Sequence, residues 1–246
     1  MKGFELAKKR LLYGLPFFLT FGTHRNHLNQ DFYCMENQFQ NNAIRGPINS
    51  WLLKVMSAYM HYKFGDMKKA MFKDHPDMVV EIGSGTGENM RYLRKGTHLI
   101  AVEPNIHMHE NLRKTAQKYG IHLEIKSLIG EEIDLADSSC EFVVSTLVLC
   151  TVNDLPECLL QIKRILKASG KFVFIEHVKA RENSVLASIQ NLLHKPWHYC
   201  FEGCHTNRDI QPYIEAVGFS DLHMENYNLY SAIVPIIPQI RGIAVK

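Results

Sequence analysis

The chain predicts an α/β fold, a Rossmann-like doubly wound and mostly parallel seven-stranded sheet with one antiparallel strand and helices on both faces. Three observations predict it. Short apolar runs alternate with helical stretches after Pro76, a glycine-rich turn follows the first run, and the last two runs adjoin with no helix between them. The 246 residues suffice for one well-buried domain, and 46% hydrophobic with 22% charged residues marks a folding chain. Net charge is only +3, with basic and acidic residues interspersed, so no basic stripe is present for phosphate neutralisation and nucleic acid is not expected as a partner.

Residues 1–49 show no clear period and read as an N-terminal extension, with 50–246 as the main domain. The basic cluster Lys8, Lys9 and Arg10 precedes an apolar run from Leu11 to Gly22. That run is about a dozen residues, short of the ~20 that a spanning helix needs, and no small-residue cleavage site follows. A lid, or a shallow anchor giving peripheral membrane contact, is the expected use. Six scattered cysteines suit a reducing, cytoplasmic compartment.

From Ser50 to Phe72, apolar residues at Leu52, Val55, Met56, Tyr59, Met60, Phe64, Met67 and Met71 recur at helical spacing and predict an amphipathic helix. "MVVEI" (78–82) predicts the first strand, "ENMRYLRK" (88–95) a helix and "HLIAV" (98–102) the second strand. A helix follows, with Asn105 as N-cap, Met108, Leu112 and Ala116 on one face, and Gly120 as stop. "HLEIKSL" and "EFVVSTLVL" are the next strands. "DLPECLLQIKRILKASG" is a helix opened by an Asp154 and Glu157 capping box and closed by Gly170, and "KFVFIEHV" is the fifth strand. "DLHMENY" and "QIRGIAVK" supply the closing pair, which can join as a hairpin and give the antiparallel strand.

In such a sheet, ligands lie beyond the carboxyl ends of the strands where strand order reverses, and "EIGSGTGEN" (81–89) sits there. Gly83 can make the tight turn and Gly85 present bare backbone to a ligand. A dinucleotide fingerprint needs glycine at position 88, where this chain has Glu88. Glu81 and Glu88 bracket the turn, which suits a ligand bearing positive charge, such as a sulfonium with an ammonium group, better than a pyrophosphate. Glu103, eighteen residues after Gly85, can accept both hydroxyls of a ribose diol. Both nicotinamide and S-adenosylmethionine enzymes need that contact, so Glu103 alone selects neither.

"VVEIGSGTG", "AVEPN", "GEEI", "DSSCEFVVSTLVLCTV" and "LKASGKFVFIEHV" resemble, in order and spacing, the motifs of class I S-adenosylmethionine-dependent methyltransferases. "STLVLCTV", "EHV", "KPWHYCFEGCHTNRD" and "IPQIRGIAVK" look like the methyltransferase-like seven family of thiol S-methyltransferases, and the resemblance runs from about Ser50 to the end. It implies S-adenosyl-L-methionine as cofactor, with Glu81, Gly83, Ser84, Gly85 and Gly87 around the methionine moiety and Glu103 with Pro104 at the ribose. It places Gly130 and Glu131 at the adenine edge, and Thr146 and Leu147 as the floor beside the sulfonium. The expected activity is methyl transfer to a small-molecule acceptor, a thiol or another lipophilic molecule. The alternatives are an NAD-dependent oxidoreductase and a non-catalytic cofactor-binding module.

If a general base assists, His177 at the end of the fifth strand is the candidate, with Glu176 the alternative. His194, His198, Cys200, Cys204 and His205 form H-x3-H-x-C-x3-C-H, which does not match paired metal-ligand spacings. Trp197, Tyr199 and Phe201 interleave it like the wall of an apolar pocket, so no metal is expected and an acceptor-pocket wall is.

Overall fold

A computed structural model of the protein describes residues 41–246. The expected lid or anchor at Leu11 to Gly22, and Cys34, lie outside the described residues. The chain order is α1 (Arg45–Phe72), β1 (Met78–Ile82), β2 (His98–Val102), α2 (His109–Tyr119), β3 (His122–Lys126), β4 (Cys140–Thr146), α3 (Leu155–Ile165), β5 (Leu166–His177), α4 (Val185–Cys200), α5 (Gln211–Ala216), β6 (Asp221–Asn228) and β7 (Pro238–Val245).

The sheet order is β3-β2-β1-β4-β5-β7-β6. The first five strands pair in parallel, and β7 runs antiparallel to both β5 and β6, as the closing hairpin predicts. From β1 the chain winds outward to β2 and β3, then returns to β4 on the other side. The carboxyl ends of β1 and β4 therefore flank the reversal point, the position at which open α/β sheets take ligands.

Alternation along each strand builds two cores, because successive side chains leave opposite faces. Val79, Leu99, Ala101, Phe142, Val144 and Val173 pack with Leu112 and Ala116 of α2 and Phe72 of α1. Val80, Ile82, Ile100, Val102, Val143, Phe172 and Phe174 pack on the other face with Leu155, Cys158, Leu159 and Ile162 of α3 and Ile214 of α5. Burial on both faces explains why the inner strands read as unbroken apolar runs.

Local signals place most boundaries. Asp154 accepts the Glu157 N–H at 3.0 Å and opens α3, while Gly120, at φ +67°, ends α2. Other boundaries differ from expectation. Helix α1 starts at Arg45 and so runs across the expected division between 49 and 50. Along it Phe64 is buried, but Val55 is 58% exposed and does not join the packing stripe. The segment after the glycine turn forms only a 3-10 turn over Glu88–Tyr92, because Leu93 turns extended and His75 Nε2 captures the Arg94 N–H at 3.0 Å. Asn105 caps a 3-10 turn at Ile106–Met108, and α2 begins after it.

Helix α3 stops at Ile165, short of Gly170. Leu166 is fully buried and already pairs with Cys140, and Ser169 takes φ +64° where the pairing register shifts. Helix α4 has no counterpart among the expected elements. Its Val185 and Leu192 are 78% and 77% exposed, while Leu186, Ile189 and Trp197 are half-buried on one face around Gln190, the residue of α4 that is fully buried. That amide accepts the Ala180 N–H and donates to the Val178 and Pro235 carbonyls, which fixes the helix through hydrogen bonds. No helix among the described residues is long and apolar enough to cross a membrane.

Candidate methyl-donor site

The turn after β1 holds Gly83, Gly85 and Gly87 at φ +64°, +55° and +87°, a region side chains rarely enter. The reasons for glycine differ. A Cβ on Gly83 would lie 2.4 Å from Val148 Cγ2, so the loop after β4 itself demands a bare residue. At Gly85 the nearest heavy atom, Leu53 Cδ1, would stand at 3.5 Å, an ordinary contact. The left-handed φ at Gly85, and no close side chain, is what calls for glycine there.

Glu103, at the end of β2, reaches across this turn. One oxygen accepts the Gly85 N–H at 2.7 Å and the other the Asn105 N–H at 2.9 Å. Pro104 beside it is half-buried. Burial pushes the Glu103 carboxyl up to about 7 against those two bonds. Asn105 also donates through its amide to Glu202, at 2.9 and 3.1 Å, and so ties the surroundings of Glu103 to the loop after α4.

Beneath the turn lies a second buried group. Asn89 donates to Glu81 at 2.5 Å and to Thr146 Oγ1 at 2.8 Å, and its carbonyl oxygen accepts from Lys68 Nζ at 2.7 Å. Burial raises Glu81 to about 7 and lowers Lys68 to about 8. The second Glu81 oxygen is buried with no hydrogen-bond partner among the described residues, an acceptor for which the protein supplies no donor. Ser84 is buried above it, its hydroxyl donating to the Glu81 carbonyl at 3.4 Å.

The end of β4 is held from β5. Glu176, fully buried and raised to about 7 by that burial, accepts from Ser145 Oγ at 2.9 Å and from the Val148 N–H at 3.0 Å. Leu147 sits at φ +59°, with its N–H on the Ile175 carbonyl at 2.8 Å. A left-handed leucine costs on the order of 1–3 kcal/mol and persists only where surrounding contacts hold it. Gly130 is bare because a Cβ there would meet Cys158 Sγ at 2.7 Å, and Glu131 accepts the Asn153 and Asp154 N–H groups at 2.8 and 3.0 Å. The roles these two residues have in the structure are therefore packing and helix-entry capping.

His177 is 2% exposed, and its Nε2 lies 3.0 Å from Cys204 Sγ. The Trp197 indole N–H reaches the same sulfur at 3.2 Å, and Cys150 Sγ lies 3.5 Å from it. The Cys150 hydrogen bond and the neighbouring His177 hold the Cys204 thiol well below its ordinary range, despite burial. Of the expected pocket wall, Trp197 and Phe201 stack at 4.1 Å, but Tyr199 is 65% exposed beneath the Arg45 guanidinium and stays out of it.

Lys68, Asn89, Asn105 and Glu202 join these hydrogen-bond networks, a part that sequence reasoning did not give them. Lys68 carried a signal, since it falls on the same helix face as Phe64 and Phe72, where a lysine needs a partner.

A methyltransferase-domain family model matches residues 80–174, the stretch from β1 to β5. Thiol S-methyltransferase TMT1B of Rattus norvegicus is 31% identical over 208 residues, covering 80% of this chain and 85% of that protein. Among solved structures, an S-adenosylmethionine-dependent methyltransferase from Thermotoga maritima, titled a possible histamine N-methyltransferase, superposes with a TM-score of 0.59 at 19% identity, over 81% of this chain and 98% of that one. Phosphoethanolamine N-methyltransferase 2 of Haemonchus contortus, in complex with S-adenosyl-L-methionine, gives 0.59 at 13% identity over 81% and 60%.

Fold, glycine turn and family match together define a class I S-adenosylmethionine-dependent methyltransferase, with S-adenosyl-L-methionine as its cofactor. Within that class, the chain belongs to the TMT1 thiol S-methyltransferase family. An oxidoreductase finds no support, and Glu88, where the dinucleotide fingerprint needs glycine, is paired with Arg91 at 2.6 Å.

Proposed function

We propose that the protein S-methylates a lipophilic small-molecule thiol. The 31% identity to a thiol S-methyltransferase over most of both chains carries the proposal. An apolar cluster supports it, in which Leu147 and Trp197 join Met60, Met67, Tyr227 and Ile233 around buried Phe64 and Ile175 beside the site's floor. Polarisable methionines suit a soft, apolar acceptor. Residues 50–246 would form the catalytic domain, and 1–49 a lid or membrane-interface extension.

S-adenosyl-L-methionine supplies an already activated methyl group, so the chain has mainly to bind, orient and exclude water. Glu103 with Pro104 would take the ribose. Gly83, Ser84, Gly85 and Gly87 would shape the turn around the methionine moiety, with the free Glu81 oxygen accepting from its ammonium group. Gly130 and Glu131 would border the adenine, and Thr146 and Leu147 would set the floor. A thiol with an ordinary pKa of about 8.5 is near deprotonation at neutral pH, so a strong base is not required. The His177 Nε2 is engaged by Cys204 while its Nδ1 is buried with no hydrogen-bond partner among the described residues, so His177 would serve as the assisting base through Nδ1.

The test is a panel of apolar thiols, phenols, quinol precursors and amines with S-adenosyl-L-methionine, reading S-adenosylhomocysteine release. Thiol-dependent release is expected. Turnover confined to phenols or amines would overturn the thiol assignment, and cofactor binding without product from any acceptor would make the chain a binding module.

A further inference from the structure

The expectation of no metal weighed His194, His198, Cys200, Cys204 and His205 as one run along the chain. The fold separates that run: Cys200 is exposed, and Cys204 turns to His177. The three histidines converge. His194 and His198, one helical turn apart on α4, and His205, in the loop that follows, each place a ring nitrogen within 4.8 Å of the other two.

We propose that His194, His198 and His205 form a three-imidazole site for a divalent transition ion of the zinc type, with its fourth position open. Ring centroids are 5.8, 5.2 and 4.6 Å apart. Three imidazoles bound tetrahedrally at ~2.0–2.1 Å would place their centres about 5 Å apart, so the spacing fits a shared ion.

Two further observations point the same way. The Thr206 hydroxyl donates to the Gln190 carbonyl at 2.9 Å, so the His194 Nδ1, 3.4 Å from the Thr206 Oγ1, is the donor in that contact. This fixes the tautomer and leaves the His194 Nε2 with a free lone pair, the arrangement by which an outer hydroxyl orients a metal-binding imidazole. The His198 Nδ1 is buried and has no hydrogen-bond partner among the described residues, an orphaned nitrogen that a metal ion would satisfy. The third ligand is anchored by its backbone, since the His205 N–H donates to the Cys150 carbonyl at 3.0 Å.

An ion there would clamp the loop from Phe201 to His205 onto α4. That loop carries Glu202, the partner of Asn105, and Cys204, the partner of His177 and Trp197. The ion's function would be to order the loop that brings Glu202 to Asn105.

The test uses the untagged full chain, stripped of metal and titrated with zinc against a chromophoric chelator, with cobalt as a spectroscopic substitute. One zinc per chain is expected, with a tetrahedral cobalt spectrum and a zinc-dependent rise in Tm. His194→Ala, His198→Ala and His205→Ala should each weaken zinc binding by at least about 100-fold, since even outer partners of metal ligands cost 10–100-fold. Cys150→Ser and Cys204→Ser should leave it unchanged. Zinc affinity that survives the His194→Ala/His198→Ala double variant would overturn the proposal. So would affinity that falls with the cysteine variants, which would move the ion to Cys150, His177 and Cys204. Circular dichroism of each variant separates loss of the site from loss of the fold.

Discussion

Replacing Glu103 with alanine removes two acceptors at once, and the geometry sets what should follow. In the unliganded protein its oxygens satisfy the Gly85 and Asn105 N–H groups at 2.7 and 2.9 Å. On the proposed placement they also accept the ribose diol. A hydrogen bond to a charged group contributes about 1.5–3 kcal/mol, so losing both ribose contacts should cost roughly 3–6 kcal/mol. At about 1.4 kcal/mol per tenfold, S-adenosyl-L-methionine should bind at least ~100-fold more weakly to Glu103→Ala by isothermal titration calorimetry. Glu103→Gln keeps one acceptor oxygen and should lose roughly tenfold. The alanine variant also strands two N–H groups at a buried position, so its unfolding midpoint in urea should fall by about 1–3 kcal/mol equivalent. If both variants fold and bind within about threefold of the parent chain, the ribose does not lie on Glu103 and the donor placement fails.

Four further outcomes follow from the same geometry. Gly83→Ala should destabilise the fold more than Gly85→Ala, because both take a left-handed φ but only the Gly83 Cβ meets a side chain closely, Val148 at 2.4 Å; thermal unfolding of the two variants checks the order. Burial raises Glu81, Glu103 and Glu176 to about 7, above their unfolded values, so the folded state holds protons that the unfolded chain has released. Stability of the unliganded protein should therefore fall as pH rises from about 4.5 towards 7 and level off above, while affinity for the cationic cofactor should rise over the same window; denaturant titrations and calorimetry at several pH values check both. Lys68→Met should weaken cofactor binding and displace its pH dependence upward, because the buried cation that favours ionised Glu81 is gone. Trp197→Ala should raise the acceptor KM more than it weakens cofactor binding, and the reverse would move Trp197 out of the acceptor wall.

The glycine turn and the carboxylate facing it were legible because their determinants are local. A strand, three alternating glycines and a carboxylate at the next strand's end lie within about two dozen residues, and the sheet brings them together with no help from distant chain. The antiparallel β7 was equally readable, since two adjacent strands without a helix leave little choice but a hairpin. Helix α4 was hidden because its stripe of Leu186, Ile189 and Trp197 is interrupted by the buried Gln190, which holds it by hydrogen bonds, and is mixed with the exposed Val185 and Leu192. The partnership of His177 with Cys204 spans 27 residues and depends on how α4 returns to the sheet, so the position of His177 at a strand end could be read but its engagement could not. Glu202 likewise gains meaning only when Asn105, 97 residues earlier, reaches it.

That last link has a practical side for anyone redesigning the enzyme. Exchanging the segment after β5 for that of a relative, the natural way to alter which molecules are accepted, would also remove the anchor of the asparagine that steadies Glu103. A graft would have to carry a matched residue at position 105, or the hybrid would trade a new acceptor range for a loosened grip on the methyl source.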